Sequence, residues 1–462
     1  MMKSMIGRKS ALWLAATAIS VLTFATVQSA NGATRERPCN GSVELCSRTL
    51  DQVVLPGTHN SMSNEEYGWA LANQHYSIPT QLSMGVRAFL IDTHYGKLDG
   101  DGVTVAKVPS ANRNDPGVKM YLCHEFCQLG SSELIPELAK ISSFLAANPR
   151  EVLTFVVQDA LVPADLAQAV TDSGLIDYVY EGSTTQYPTL KEMISSNQRV
   201  VMLSEGNTGD VPWYHDGYSS SLQETPYNFL EDEADTPLTP SQGMNLLTQA
   251  ANLNSSCRPN RGGESGALFL MNHWVNGLIG SDKTGSQNVA PDPAVSSILN
   301  QPDVLVARAR VCEQRRGKLP NIVAVDGFGD GDLVSAVREL NGVKARPFFE
   351  IAKPKNSTVK AGRKATYRLR LSNFGDMESA LTRVCAIVPG RLAIKPKCKT
   401  AFVPQGRPGK ATTSISIVTR RKGKGSGKVT FKVSGGGDAT ATSASLKVNP
   451  VKKKKKPKRA RR

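Results

Sequence analysis

Six histidines occur in 462 residues, and four of them stand at the ends of short apolar runs. His59 follows Val54-Leu55-Pro56-Gly57-Thr58, and His94 lies two positions beyond Asp92, which closes the run 87–91. His124 ends the run 120–122, and Asn272-His273 end 267–271. Other runs close on Gln158-Asp159 (152–157), Glu205 (199–203) and Asp326 (321–325). Imidazoles titrate near neutrality, so His59 and His124 can divide a proton-shuttling displacement as base and acid. A carboxylate beside either ring would hold its tautomer and stabilise its charged form. G-x-S-x-G is absent and the cysteines read as paired, which favours attack by a substrate hydroxyl or water over a covalent enzyme intermediate. A phosphodiester fits this acid–base pair best, although residue types alone leave glycoside hydrolysis open.

Such groups meet only if the runs are strands of one parallel layer. The runs 52–55, 87–91, 120–122, 152–157, 199–203, 267–271 and 321–325 alternate with helical patterns at 132–147, 164–173, 190–197 and 332–340. That alternation predicts an α/β fold with a parallel sheet. Seven strands in under 300 residues point to a (β/α)8-like TIM barrel over residues 40–345 rather than an open doubly wound sheet. No G-x-G-x-x-G follows the first run, which weakens a dinucleotide-binding reading. In a parallel barrel all the strand ends face one mouth, so the polar groups converge. Loop-opening polarity would explain one such strand, but it explains seven poorly. The Gly-, Pro- and Asp-rich stretch 204–266 is expected to form long surface loops. Trp213 and Tyr214 within it could stack on a sugar ring, and His75 and His215 read as incidental.

Composition divides the chain. Apolar content of 40% and charged content of 21% suit a globular protein. From Pro347 onward there are 30 basic and 4 acidic residues, while the remainder has 26 and 36. An acidic body and a basic end imply two units with different jobs. The basic end alternates polar and apolar residues between Gly and Pro turns, predicting a small all-β, Ig-like sandwich over 347–449. Residues 450–462 form a polybasic tail too polar to fold. At the other end, Lys3, Arg8 and Lys9 precede an apolar stretch, 11–27, and small residues at 29–33, the pattern of a signal peptide over 1–33. Export makes disulfides the natural reading of eight cysteines. Nearest-neighbour spacing suggests Cys39–Cys46, Cys123–Cys127, Cys257–Cys312 and Cys385–Cys398, one choice among many connectivities. The rival for Cys123 and Cys127 is a metal site. No apolar run after residue 30 is long enough to span a membrane.

At Leu55-Pro56-Gly57-Thr58-His59-Asn60-Ser61-Met62 the chain resembles the X domain of phosphatidylinositol-specific phospholipases C. Matches continue in order at Gly85-Val86-Arg87-Ala88-Phe89-Leu90-Ile91-Asp92, Tyr121-Leu122-Cys123-His124 and Asn148-Pro149-Arg150-Glu151-Val152-Leu153. Secreted phospholipase C-like phosphodiesterases also share Cys257-Arg258-Pro259-Asn260-Arg261, Asn272-His273 and Pro320-Asn321-Ile322-Val323-Ala324-Val325-Asp326. The resemblance spans residues 48–342 and implies a TIM-barrel phosphoric diester hydrolase or lyase acting on phosphatidylinositol-type lipids. It casts His59 as the base on the inositol 2-hydroxyl and His124 as the acid on the departing diacylglycerol oxygen, through a 1,2-cyclic phosphate. Asp326 would orient His59 and Asp92 support His124. Asn60, His94, Gln158, Glu205 and His273 form the expected substrate-binding set.

One position departs from the family. Two residues beyond Asp92, metal-independent members carry Arg and calcium-dependent members Asp, whereas this chain has His94. A protonated His94 is one replacement for the missing cation. A Ca²⁺ ion at Asn60, Asp92 and Gln158 is disfavoured by their single formal charge, so no cofactor is expected. The expected partners are a phosphatidylinositol-like lipid and, through the basic C-terminus, a membrane surface or anionic wall polymer. Nucleic acid is disfavoured by export, and a secreted monomer, associated with the cell envelope through its basic end, is expected. The alternative is a catalytically decayed barrel acting as a cell-envelope-binding protein.

Overall fold

The computed structural model describes residues 35–227, 229, 231–232, 234, 236–281, 287–377, 382–404 and 409–451. The expected signal peptide, and the polybasic tail beyond residue 451, lie outside the described residues.

The strands that position the polar groups are β1 (Leu55–Thr58), β2 (Ala88–Leu98), β3 (Val118–Leu122), β4 (Leu153–Asp159), β5 (Val200–Ser204), β6 (Tyr214–Asp216), β7 (Leu222–Glu224), β8 (Leu268–His273) and β9 (Ile322–Val325). Eight of them form one curled sheet in the order β6-β5-β4-β2-β1-β9-β8-β7, and every pairing along it is parallel. The edge strands β6 and β7 are consecutive in the chain and joined by a π-helical turn, Gly217–Ser221, without pairing to each other. The sheet therefore has a barrel's strand succession and curl, without closure by hydrogen bonds among the described residues.

Period-two alternation sends the strand side chains to two cores. Phe89, Ile91, Phe155, Val157, Met202, Phe269, Met271, Val323 and Val325 pack outward against helix residues such as Leu138, Ile141, Leu166, Leu305 and Leu333. Leu55, Ala88, Leu90, Val156, Val201, Leu203, Leu270 and Ala324 face the concave side. Burial on both faces explains why these strands read as continuous apolar runs. Gly57 is required by close approach, because a Cβ there would lie 2.9 Å from Ile322 Cγ2 and 3.2 Å from the Val323 carbonyl. Under the sheet, buried Arg87 donates from Nε to Glu151 at 2.7 Å.

Two expectations need correction, and one helix was not anticipated. The run containing Met120–Leu122 is not a strand of the parallel path: β3 lies antiparallel to the distal half of β2, with Thr93 opposite Leu122. The stretch 204–266 is not only loops, since it holds the parallel strands β6 and β7 and a helix, Pro240–Thr248. The helix Pro302–Arg316 was missed because Arg308 and Arg316 lie on its buried side and break the apolar period.

Beyond Pro347 the chain is all β. Sheets of three and five strands enclose one core that includes Tyr367, Leu369, Ile415, Ile417, Val429 and Phe431. The alternation is clear in Lys364–Asn373, where every second residue is buried. Arg338 joins this region to the α/β part, donating from Nε to Asp376 at 2.7 Å. All four nearest-neighbour cysteine pairs are disulfide-bonded. The metal reading of Cys123 and Cys127 is thereby overturned.

Candidate active site

His59 enters the concave side directly after β1. The next residue, Asn60, takes a left-handed conformation (φ 43°), which asparagine tolerates better than most residues, so the chain turns away as soon as the imidazole is presented. Gln74 fixes the turn by donating from Nε2 to the carbonyls of His59 (2.6 Å) and Val325 (2.9 Å). The His59 Nδ1 lies 2.9 Å from Oδ1 of Asp326, a buried carboxylate at the end of β9. Asn73 Nδ2 donates to both Asp326 oxygens, at 3.2 and 3.3 Å. Trp274 stacks flat on the His59 ring, with centroids 3.7 Å apart and planes 4° apart.

His124 arrives from another direction. It follows the antiparallel β3, within the tight Cys123–Cys127 disulfide loop. Its Nδ1 lies 2.8 Å from Asp92 Oδ2, and the two imidazole centroids are 6.3 Å apart. Burial depresses the His124 pKa, but the Asp92 hydrogen bond and the charges of Asp92, Glu125 and Asp326 outweigh it, so the pKa is raised. In both pairs a carboxylate occupies Nδ1, leaving Nε2 to meet a ligand.

Both histidines line a cavity of about 860 Å³. Asn60, Asp92, Gln158 and Glu205 line it as well. Three buried amide atoms of cavity residues have no hydrogen-bond partner: Asn60 Nδ2, Asn73 Oδ1 and Asn272 Oδ1. Across the cavity stands an ion-pair array. Arg261 donates from Nε to Glu224 Oε1 at 2.6 Å, from Nη1 to Glu205 Oε2 at 2.7 Å, and from Nη2 to both glutamates at 3.2 Å. Burial raises the Glu205 pKa; Arg261 opposes the shift, while the charges of Glu224 and Asp92 add to it.

Two expected substrate-binding residues do not line this cavity. His273, the last residue of β8, is fully buried, with Nε2 donating to the Leu299 carbonyl (3.1 Å) and Arg308 Nη1 donating to Nδ1 (3.0 Å). His94 is pushed down to about 4, first by burial and then by the charge of Lys107. It is neutral at physiological pH and cannot replace a missing cation. Trp213 and Tyr214 are also buried away from the cavity, and His215 donates to the Tyr180 carbonyl. His75, read as incidental, bridges Glu65 and Asp330 at 2.9 and 2.8 Å.

Sequence reasoning missed Trp274, Asn73, Glu224 and the ion-pairing of Arg261. Trp274 had a signal, since it directly follows Asn272-His273; Glu224 lay in a stretch read as loop. The donor set Asn60, Asp92 and Gln158 does not fit calcium, because it holds one carboxylate and that group is already bonded to His124. Among the described residues no group of three or more His, Cys, Asp or Glu could hold a metal.

The parallel sheet and the antiparallel strand beside it thus bring two carboxylate-bonded histidines to one cavity. The chain belongs to the PI-PLC X family, whose model described as PI-PLC X 1 matches residues 45–341. It is 27% identical to PI-PLC X domain-containing protein 1 of Arthroderma benhamiae over 72% of this chain and 97% of that protein. An uncharacterized secreted protein of the same fungus is 26% identical over 66% of this chain and 64% of its own length. A PI-PLC X domain-containing protein of Arabidopsis thaliana is 22% identical over 62% and 61%. This chain thus spans less than two thirds of the latter two relatives. Among solved structures, a CARDB domain of Pyrococcus furiosus matches 23% of this chain and 96% of its own at 13% identity, with a TM-score of 0.18.

Proposed function

We propose that this protein is an extracellular phosphodiesterase that splits phosphatidylinositol-type lipids. The observation that carries the reading is the pair of imidazoles, each bonded to a carboxylate through Nδ1, with centroids 6.3 Å apart in one cavity. His59 Nε2 takes the proton from the headgroup hydroxyl beside the phosphodiester. That oxygen attacks phosphorus as the bond to the diacylglycerol oxygen breaks, and His124 protonates the leaving oxygen. One P–O bond forms and one breaks, a cyclic phosphate results, and the two histidines exchange protonation states before resetting through water. Asp326 stabilises the imidazolium formed at His59, and Asp92 keeps His124 charged until its proton is needed. The unpartnered Asn60 Nδ2 is a donor for a phosphate oxygen, where a preorganised hydrogen bond counts most.

Four disulfides and a secreted relative support an extracellular setting. The closed TIM barrel and Ig-like sandwich remain the architecture this reading assumes, with the basic C-terminal region holding the protein near an anionic membrane or wall polymer. Each charge close to such a surface contributes roughly 1 kcal/mol. One observation favours the rival, a binding protein with a decayed site: Arg261, the one Lys or Arg lining the cavity among the described residues, is committed to two glutamates.

Phosphatidylinositol vesicles followed by phosphorus NMR, with Ca²⁺ or EDTA and with His59→Ala, test the proposal. A cyclic inositol phosphate made by the wild type and absent with His59→Ala is the expected result. No turnover of phosphatidylinositol, its glycosylated forms or other phosphodiesters would leave the binding protein as the better reading.

A further inference from the structure

The C-terminal β region carries far more cationic charge than its fold uses. Residues 347–451 hold 21 Lys and Arg against 4 Asp and Glu. Each of those acids among the described residues is committed to structure. Glu350 accepts from Arg37 at 2.7 and 2.8 Å, Asp376 from Arg338 at 2.7 Å, and Asp438 from the Phe349 amide at 2.6 Å. The cations stand where strand alternation puts them. In Lys364–Asn373, Ala365, Tyr367, Leu369 and Leu371 are buried, while Lys364, Arg368 and Arg370 are exposed. Across the ladder Arg368 lies opposite Ser414 and Arg370 opposite Thr412. The five-stranded sheet repeats the pattern. Gly425–Gly435 buries Val429, Phe431 and Val433 and exposes Lys428 and Lys432. Lys428 lies opposite Ser445, and exposed Lys447 opposite Ser426. None of these six cations takes part in an ion pair among the described residues.

Opposite charges across a ladder stabilise a sheet, yet the chain sets hydroxyls beside these cations where acids would pair with them. Protection of a sheet edge does not explain Lys428 and Lys432, because Gly425–Gly435 is the central strand of its sheet. Both sheets turn their apolar side chains to one core, so the two cationic faces look in opposite directions. Alternate residues of a strand lie about 6.8 Å apart, which makes each face a regular row of cations and hydroxyl donors. A flat bilayer can meet only one of two opposed faces. A flexible chain can run along both.

We propose that the C-terminal β region is a two-faced binding module for a flexible linear polyanion with one acidic group per repeat, a polyol phosphate or a uronic acid polymer of the cell envelope. This deepens the tethering role of the basic region; it rests on the extracellular reading and needs no catalysis. Lys and Arg displace the counter-ions condensed along such a chain, and their charged hydrogen bonds to its oxygens are joined by those of the neighbouring hydroxyls.

Calorimetry on the full protein at physiological salt tests the module, with poly(glycerol phosphate), polyglucuronate and phosphatidylglycerol vesicles as probes. One variant carries Lys364→Gln, Arg368→Gln and Arg370→Gln, the other Lys428→Gln, Lys432→Gln and Lys447→Gln. Each should bind the preferred polymer at least about tenfold more weakly than wild type. The slope of log K against log salt should become shallower by about 0.7 for each cation removed. The tighter of the two polymers identifies the source. The polybasic tail is common to all the proteins, so it cannot produce the differences. Should a triple variant unfold by circular dichroism, Arg368→Gln and Lys432→Gln alone decide, each expected to bind about twofold to fivefold more weakly. Wild-type affinity in a variant of either face overturns the two-faced module, and so does the absence of binding to both polymers. Vesicle binding that one variant alone loses, with polymer binding that neither loses, also overturns it and assigns the region to a membrane surface. Turnover of phosphatidylinositol is read separately, so failure of the module leaves the phosphodiesterase reading standing.

Discussion

Replacing Asp326 with Asn tests the base most directly, because the change is nearly isosteric and the carboxylate is 2% exposed. Asp326 Oδ1 faces His59 Nδ1 at 2.9 Å, while both oxygens accept from Asn73 Nδ2. An amide at position 326 has one oxygen for two donors. If its NH2 turns to His59, Nδ1 must act as acceptor, the proton moves to Nε2, and the base is lost; a wrong tautomer of this kind costs about 10⁴ in kcat in a His–Asp pair. If its oxygen stays on His59, its NH2 faces Asn73. Asn73 can answer by flipping, since its Oδ1 has no partner. The tautomer then survives, but a charged hydrogen bond of about 1.5–3 kcal/mol is replaced by a neutral one of about 0.5–1.5 kcal/mol just as the imidazolium forms. The expected loss in kcat therefore lies between about 10-fold and 10⁴-fold, with KM within a few-fold. Release of inositol phosphate from phosphatidylinositol vesicles measures it, with circular dichroism as the folding control. A folded Asp326→Asn protein within threefold of wild-type kcat would refute the assignment of His59 and Asp326 as a base pair.

Other consequences are equally specific. His124 must donate a proton and its pKa is raised, so kcat/KM should fall as pH rises through that pKa; Asp92→Asn should move this alkaline limb to lower pH. The raised His124 pKa also contributes stability that is present below its unfolded value and lost as pH rises through the folded one. His94 behaves oppositely: held at about 4 against 6.5 unfolded, it adds stability above pH 6.5 that is lost as pH falls toward 4. NMR titration of His94 should therefore show no protonation between pH 5.5 and 8, and an inflection near its usual pH would contradict its burial. Arg87→Ala removes the guanidinium that donates to buried Glu151 and should cost about 3–5 kcal/mol in denaturant unfolding.

Much of this protein is written locally. Apolar runs such as 152–157 and 199–203 identify strands to within two residues because burial on both faces demands uninterrupted hydrophobicity. Polar residues behind those runs could be located without coordinates: His59, Gln158 and Glu205 were legible at strand ends, Asp92 proves to lie inside a strand that continues to Leu98, and all four line one cavity. Short cysteine spacings likewise anticipated the disulfides, since a chain already folded back over four or seven residues brings its sulfurs together.

What local pattern could not decide was pairing across distance. Arg261 and Glu205 are 56 positions apart, Asp326 and His59 are 267 apart, and no periodicity encodes such contacts. Only the fold shows that β3 runs antiparallel, bringing His124 in on a flap, and that β7 buries Glu224 beneath Arg261. It also separates histidines that look alike in sequence. The Asp92 carboxylate keeps His124 protonatable against its burial, burial and Lys107 hold His94 neutral, and His273 is spent on the Leu299 carbonyl and Arg308. Residue type and position come from the chain, but charge state depends on desolvation and neighbours, which exist only once the chain has folded.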